Sequence, residues 1–215
     1  MLFQADIFDI MRILSLIMVF LQVIGFSGLI IVGSSRIRNS STINKSVIFT
    51  IVGVVEILYL TINQRLFLVI LGVEGYYTMP LLMLQNALNG MIPNIISLIT
   101  FGVLFLLLGL KNKQNSGKLL MYSGIFWIVF GVILIVPYSI FLVTYIPLPV
   151  PPELFNFARI TILIATIFKV TSSIFFVIYA SKLRIKILLY SSIFLFVASS
   201  VSAVISLVEL SLFIL

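Results

Sequence analysis

The stretch ARITILIATIFKVTSSIFFVIYA, residues 158–180, decides the fold. At 1.5 Å per residue a helix of this length spans ~35 Å, enough to cross a hydrocarbon core of ~30 Å. Arg159 stands at its start, and Lys169 is the one charge near its middle. An ammonium at that depth is costly unless it has a partner, so the search for that partner organises the reading of the rest of the chain.

The neighbouring sequence is of the same kind. Of 215 residues, 62% are hydrophobic and 9% charged, whereas soluble domains have about 45–50% apolar and 25% charged residues. The composition predicts an all-α, polytopic transmembrane helical bundle forming a single membrane domain over 1–215. Spans are expected near 8–33, 47–71, 90–110, 119–146, 157–180 and 187–213, arranged as three hairpins.

Charge sets the expected orientation. The polar connections 34–46, 111–118 and 181–186 carry nine of the thirteen basic residues and no acidic one. Cytoplasmic loops of membrane proteins carry such an excess, so the sequence predicts these loops inside and both termini outside. The net charge of +7 is thereby explained by topology. No basic domain or basic patch interleaved with aromatics points to nucleic acid. Asp6 and Asp9 occupy what would be the basic region of a signal peptide, so none is expected to be cleaved.

The two remaining connections differ in character. Residues 72–94, GVEGYYTMPLLMLQNALNGMIPN, combine interfacial tyrosines with Gly90 and Pro93, and predict a kinked or broken helix. Asn86, Asn89, Pro93 and Asn94 are the candidate polar residues there, because freed backbone groups in broken helices are where transporters bind ions and solutes. Residues 146–153, IPLPVPPE, favour extended polyproline geometry, and Pro137 should bend the fourth span.

Small and polar residues mark the packing faces. A hairpin turning near Ser116 and Gly117 would set Gly102 against Gly131 and Gly109 against Gly124, allowing close approach of two helices. Ser192, Ser199, Ser202, Ser206 and Glu209 recur at seven, three, four and three residues, a spacing that predicts one packing seam or polar pathway on the last span. Thr161, Thr166, Ser172 and Ser173 share the face of Lys169.

Three strongly polar side chains fall at similar depth: Gln22, Glu56 and Lys169. Glu56 lies eleven residues beyond Lys45, with Tyr59 and Asn63 on its stripe. It is the candidate partner of Lys169, as an ion pair lining a cavity or as a buried pair that fixes how the hairpins assemble, unless one of the two faces a partner subunit.

The chain contains neither Cys nor His, which removes thiol chemistry, the commonest general base and the commonest transition-metal ligand. Acidic residues are scattered, so no catalytic residue, metal site or cofactor is expected and the protein is not read as an enzyme. The Pro-acid-base loop signature of mitochondrial carriers and the paired Asn-Pro-Ala half-helices of aquaporins are both missing. The leading expectation is a non-catalytic structural or accessory subunit, embedded in the bilayer with other membrane subunits or copies of itself. The alternative is a small transporter or ion- or proton-translocating protein that uses Glu56 and Lys169.

Overall fold

In hydrocarbon a chain must satisfy its backbone N–H and C=O groups internally, which makes helices of its long apolar stretches. The computed structural model describes residues 2–36, 43–63, 80–111, 115–144 and 151–214, with side chains described at 10–11, 13–35, 46–60, 95–111, 116–140, 151 and 153–211. They form α1 (Leu2–Arg36), α2 (Ile43–Asn63), α3 (Pro80–Lys111), α4 (Asn115–Thr144), α5 (Pro152–Leu183) and α6 (Lys186–Ile214), and no strand occurs among the described residues.

Four stretches, Ile13–Ser35, Ser116–Ile140, Glu153–Leu183 and Lys186–Ser211, are long and apolar enough to cross a membrane. In α2 and α3 the described apolar parts, Ser46–Leu60 and Ile95–Lys111, are shorter than a crossing. The side chains face the opposite way to those of a soluble protein. On α1, Ile13, Ile17, Phe20, Ile24 and Ile31 are exposed, while Phe26, Leu29 and Val32 on the other face are buried. On α6, Ile193, Val197, Val204 and Leu207 point out while Ser191, Ser192, Ser199 and Ser206 are buried. Lipid tails accept the apolar surface and reject the hydroxyls, so this polarity suits a bundle embedded in a bilayer.

Each helix packs on the next in sequence, and α6 returns to pack on α1, which closes a ring. The seam between α2 and α3 is the thinnest. α3 is helical without interruption through Gly90 and Pro93, where the sequence suggested a kinked or broken helix. The side chains of Asn86, Asn89, Pro93 and Asn94 lie outside the described residues, as does that of Asn63 at the end of α2. α5 begins with a proline in its first turn and Glu153 beside it, where a missing N–H costs little and an acid complements the helix dipole. It ends at Arg184, held in the left-handed region at φ 54° with its N–H donated to Ser181 O.

The glycine seam between α3 and α4 exists, but in a different register from that read in the sequence. A Cβ on Gly102 would lie 2.7 Å from Gly124 O, and one on Gly124 would lie 2.5 Å from Gly102 O. Gly109 sits against Gly117 and Met121, and Gly131 against Leu98 and Ile99. α4 already begins at Asn115, so Ser116 and Gly117 are helical and the connection lies earlier than expected. This slides Gly102 from Gly131 to Gly124, one heptad along α4. Gly124→Ala would press a methyl onto rigid backbone and should lower stability by about 1–3 kcal/mol. Gly131→Ala meets Ile99 Cγ1 at 3.0 Å and backbone no nearer than Ile99 N at 3.5 Å, and should cost clearly less. Thermal unfolding in detergent compares the two, and equal losses would contradict this register.

Candidate functional site

Beneath the site lies a floor of aromatic packing at the end of the ring nearer the basic connections. The rings of Phe105 and Phe176 stack at 5.3 Å, Phe49 meets Phe105 edge-on at 6.2 Å, and Tyr179 stacks on Phe176 at 6.2 Å. Each such pair adds about 0.5–1.5 kcal/mol beyond burial itself. Leu29, Val52, Phe101 and Leu195 belong to the same cluster.

Serines clamp the helices around this floor. Ser172 on α5 donates to Ser123 O on α4 at 2.8 Å, and the two hydroxyls lie 3.0 Å apart. Ser173 and Ser199 of α6 lie 2.9 Å apart, so one hydroxyl donates to the other while the acceptor's own proton goes back to its helix, where Lys169 O and Leu195 O stand within reach. Back-bonding satisfies a hydroxyl without leaving the helix, and the second contact then ties two helices together.

Above the floor all six helices line one cavity of about 190 Å³. α1 contributes Met18, Gln22 and Phe26, α2 contributes Glu56, Tyr59 and Leu60, and α3 contributes Leu98. α4 supplies Trp127, Phe130, Leu134 and Tyr138, α5 supplies Ile162, Thr166 and Lys169, and α6 supplies Ser202 and Ser206. By helical rise Glu56, Lys169 and Ser202 stand roughly 17–24 Å from the basic ends of their helices, in the middle of a bilayer-sized bundle.

Glu56 is only 6% exposed. Its carboxylate interacts electrostatically with the Lys169 ammonium and is hydrogen-bonded by the Ser97 side chain of α3. Glu56 is likewise the opposite charge acting on Lys169. The Lys169 ammonium also lies 5.6 Å from the centroid of the Phe130 ring, a cation–π arrangement of about 0.5–2 kcal/mol depending on how dry the site is. Two buried oxygens have no hydrogen-bond partner among the described residues, Glu56 Oε1 and Gln22 Oε1. An acceptor left bare in a low-dielectric interior costs about 1–3 kcal/mol, so these two are places where a donor would be bound.

The structure thus brings Gln22, Glu56 and Lys169 to one cavity, together with Thr166, Ser202 and Ser206. Ser172, Ser173 and Ser199 instead serve the helix clamps, and Glu209 is exposed on α6. Sequence reading missed the aromatic wall of α4. Its signal was present, since Trp127, Phe130, Leu134 and Tyr138 follow at three, four and four residues and so share one helix face. Ser97 was missed because a lone serine in an apolar helix carries no periodic signal.

No group of three or more His, Cys, Asp or Glu lies together among the described residues, and Glu56 is the only carboxylate among the described residues of the cavity lining. The chain matches no family model, no curated protein and no solved structure.

Removing one member of a buried pair leaves an uncompensated charge, and Glu56→Gln or Lys169→Met should each destabilise the protein by about 3–5 kcal/mol. The double variant should lose less than the two singles added together, because neither charge is then stranded. Unfolding of the four proteins measures that coupling, and strict additivity would show that the two groups do not interact.

Proposed function

We propose that the protein is a small membrane transporter whose central cavity binds a polar or ionic solute between Glu56 and Lys169. The observation that carries this reading is the cavity itself. A pair that served only assembly would be expected to close on its own hydrogen bonds, whereas Glu56 keeps a bare buried oxygen beside a space of about 190 Å³. At roughly 30 Å³ per water that space has room for about six waters or a small solute. Ionisable groups inside a membrane mark ion and solute pathways, and helices of a bundle commonly build such sites from all sides.

The accessory-subunit reading draws on the lack of a soluble domain, on the few candidate site residues and on small-polar seams that could engage a partner. Ser172, Ser173 and Ser199 of those seams are already engaged within the chain, which weakens the last of these grounds. In the transport reading the six helices are six spans in three hairpins, the basic connections face the cytoplasm and both termini face outward. The aromatic floor then closes the cavity from the cytoplasmic side, as one half of an alternating-access cycle requires.

Proteoliposomes containing the purified chain should take up at least one of a panel of labelled amines, amino acids and sugars. Glu56→Gln and Lys169→Met should each reduce that uptake at least about tenfold, as expected when an intramembrane charge binds the solute. A cysteine replacing Leu2 should be labelled by an impermeant reagent from outside, and one replacing Asn115 should not. Rates no greater than in protein-free vesicles for every solute, with stoichiometric partners in mild detergent, would return the protein to the accessory class.

A further inference from the structure

We infer that the cavity takes a small organic cation carrying N–H donors, an alkylammonium or alkylguanidinium, and exchanges it one for one against a proton held on Lys169. This rests on the transport reading above and names its substrate class and coupling.

Three features of the cavity select the cation. Glu56 Oε1 is an acceptor without a partner among the described residues, on a side chain that is 6% exposed, and Gln22 Oε1 is a second such acceptor in the same lining. Acceptors need donors, and the carboxylate needs a positive one. The walls are aromatic: Trp127, Phe130 and Tyr138 from α4 and Tyr59 from α2. One of them already holds a cation on its face, the Lys169 ammonium at 5.6 Å from the Phe130 centroid, which is how aromatic sites recognise ammonium groups. The space, about 190 Å³, exceeds what a bare alkali ion fills and suits a cation with a short organic body.

Charge balance supplies the coupling. From the helices around the cavity, Glu56 and Lys169 are the charged groups in its described lining. Tyr59 on α2 and Tyr138 on α4 present phenols, α1 presents Gln22, α6 presents Ser202 and Ser206, and Ser97 of α3 reaches the Glu56 carboxylate. Arg159 and Glu209 interact with one another outside this lining. With both groups ionised the cavity holds one negative and one positive charge. A second cation arriving beside Lys169 would leave a net positive charge in a low-dielectric space, which is strongly unfavourable. Loss of the Lys169 Nζ proton to water restores neutrality while the incoming cation keeps its own protons. One positive charge enters and one leaves, so the exchange is electroneutral.

Trp127 is the only tryptophan in the chain and lines the cavity, so its fluorescence reports occupancy. Methylguanidinium titrated into the protein in nanodiscs should change Trp127 emission saturably, with apparent affinity rising about tenfold per pH unit between about pH 6 and 8, as release of one proton per cation demands. Tetramethylammonium, which has no N–H, should give no saturable change. Glu56→Gln should weaken methylguanidinium binding at least about tenfold, and Lys169→Gln should tighten it and abolish its pH dependence. A slope of that size which survives in Lys169→Gln would place the exchanged proton on Glu56 and overturn the role given to Lys169. A pH-independent response would overturn the exchange, and proton release by Na+ but not by methylguanidinium would overturn the organic cation. Uptake of a different solute class without methylguanidinium binding would sink this inference and leave transport standing. Binding with proton release but no flux in proteoliposomes would sink transport instead.

Discussion

A carboxylate and an ammonium placed midway through a bilayer-sized bundle each face a desolvation cost of several kcal/mol, and neither is tolerated unless the other is near. Glu56 on α2 and Lys169 on α5 meet that condition only if helices distant in sequence are drawn to one centre. The ring of six helices does this, with α6 returning to α1 to close it. Gln22, Ser97, Ser202 and Ser206 then fall at the same centre from the remaining sides, and the aromatic residues of α4 complete the wall. Two oppositely charged residues more than a hundred positions apart thus face the same cavity and act on one another electrostatically.

The rest of the packing keeps that centre open without letting the bundle spread. Where no chemistry is needed, the helices approach closely, through Gly102 on Gly124 and through the serine clamps of α4, α5 and α6. The packed rings of Phe49, Phe105 and Phe176 fill the interior on the side of the basic connections. Between floor and cavity, Phe26 and Trp127 line both the large space and a smaller apolar void of about 20 Å³. These two side chains form the partition between the two spaces. The tight glycine and serine seams leave side-chain rotation as the cheaper motion there.

Much of this was legible in the sequence because a membrane simplifies the code. Long apolar runs could only be helices, and an isolated Lys169 in residues 158–180 demanded a partner at matching depth, which Glu56 supplied by its distance from Lys45. Depth is read directly from helical rise, so Gln22 joined them on the same count. Azimuth is harder. The face of Thr166 could be read from its spacing to Lys169, yet Ser172 and Ser173 on that broad face turn toward α4 and α6 and bind there. Register between helices was less legible still, because the same four glycines fit several hairpin alignments and only the true start of α4 selects Gly124 opposite Gly102. The aromatic wall escaped notice because large apolar residues are ordinary in any span, and only their convergence on two charges gives them a role.

Glu56 and Lys169 line one interior cavity, and the absence of native cysteine makes its access to water directly measurable. Ser202 lines the cavity, whereas Val204, two residues along the same helix at nearly the same depth, is 51% exposed on the outer surface. With the protein in nanodiscs, a charged methanethiosulfonate reagent should modify Ser202→Cys at least about tenfold faster than Val204→Cys, since an ionic reagent avoids hydrocarbon. Rapid reaction at 204 with protection at 202 would place water on the outside of α6 and a dry core within, and would contradict the cavity on which everything else depends.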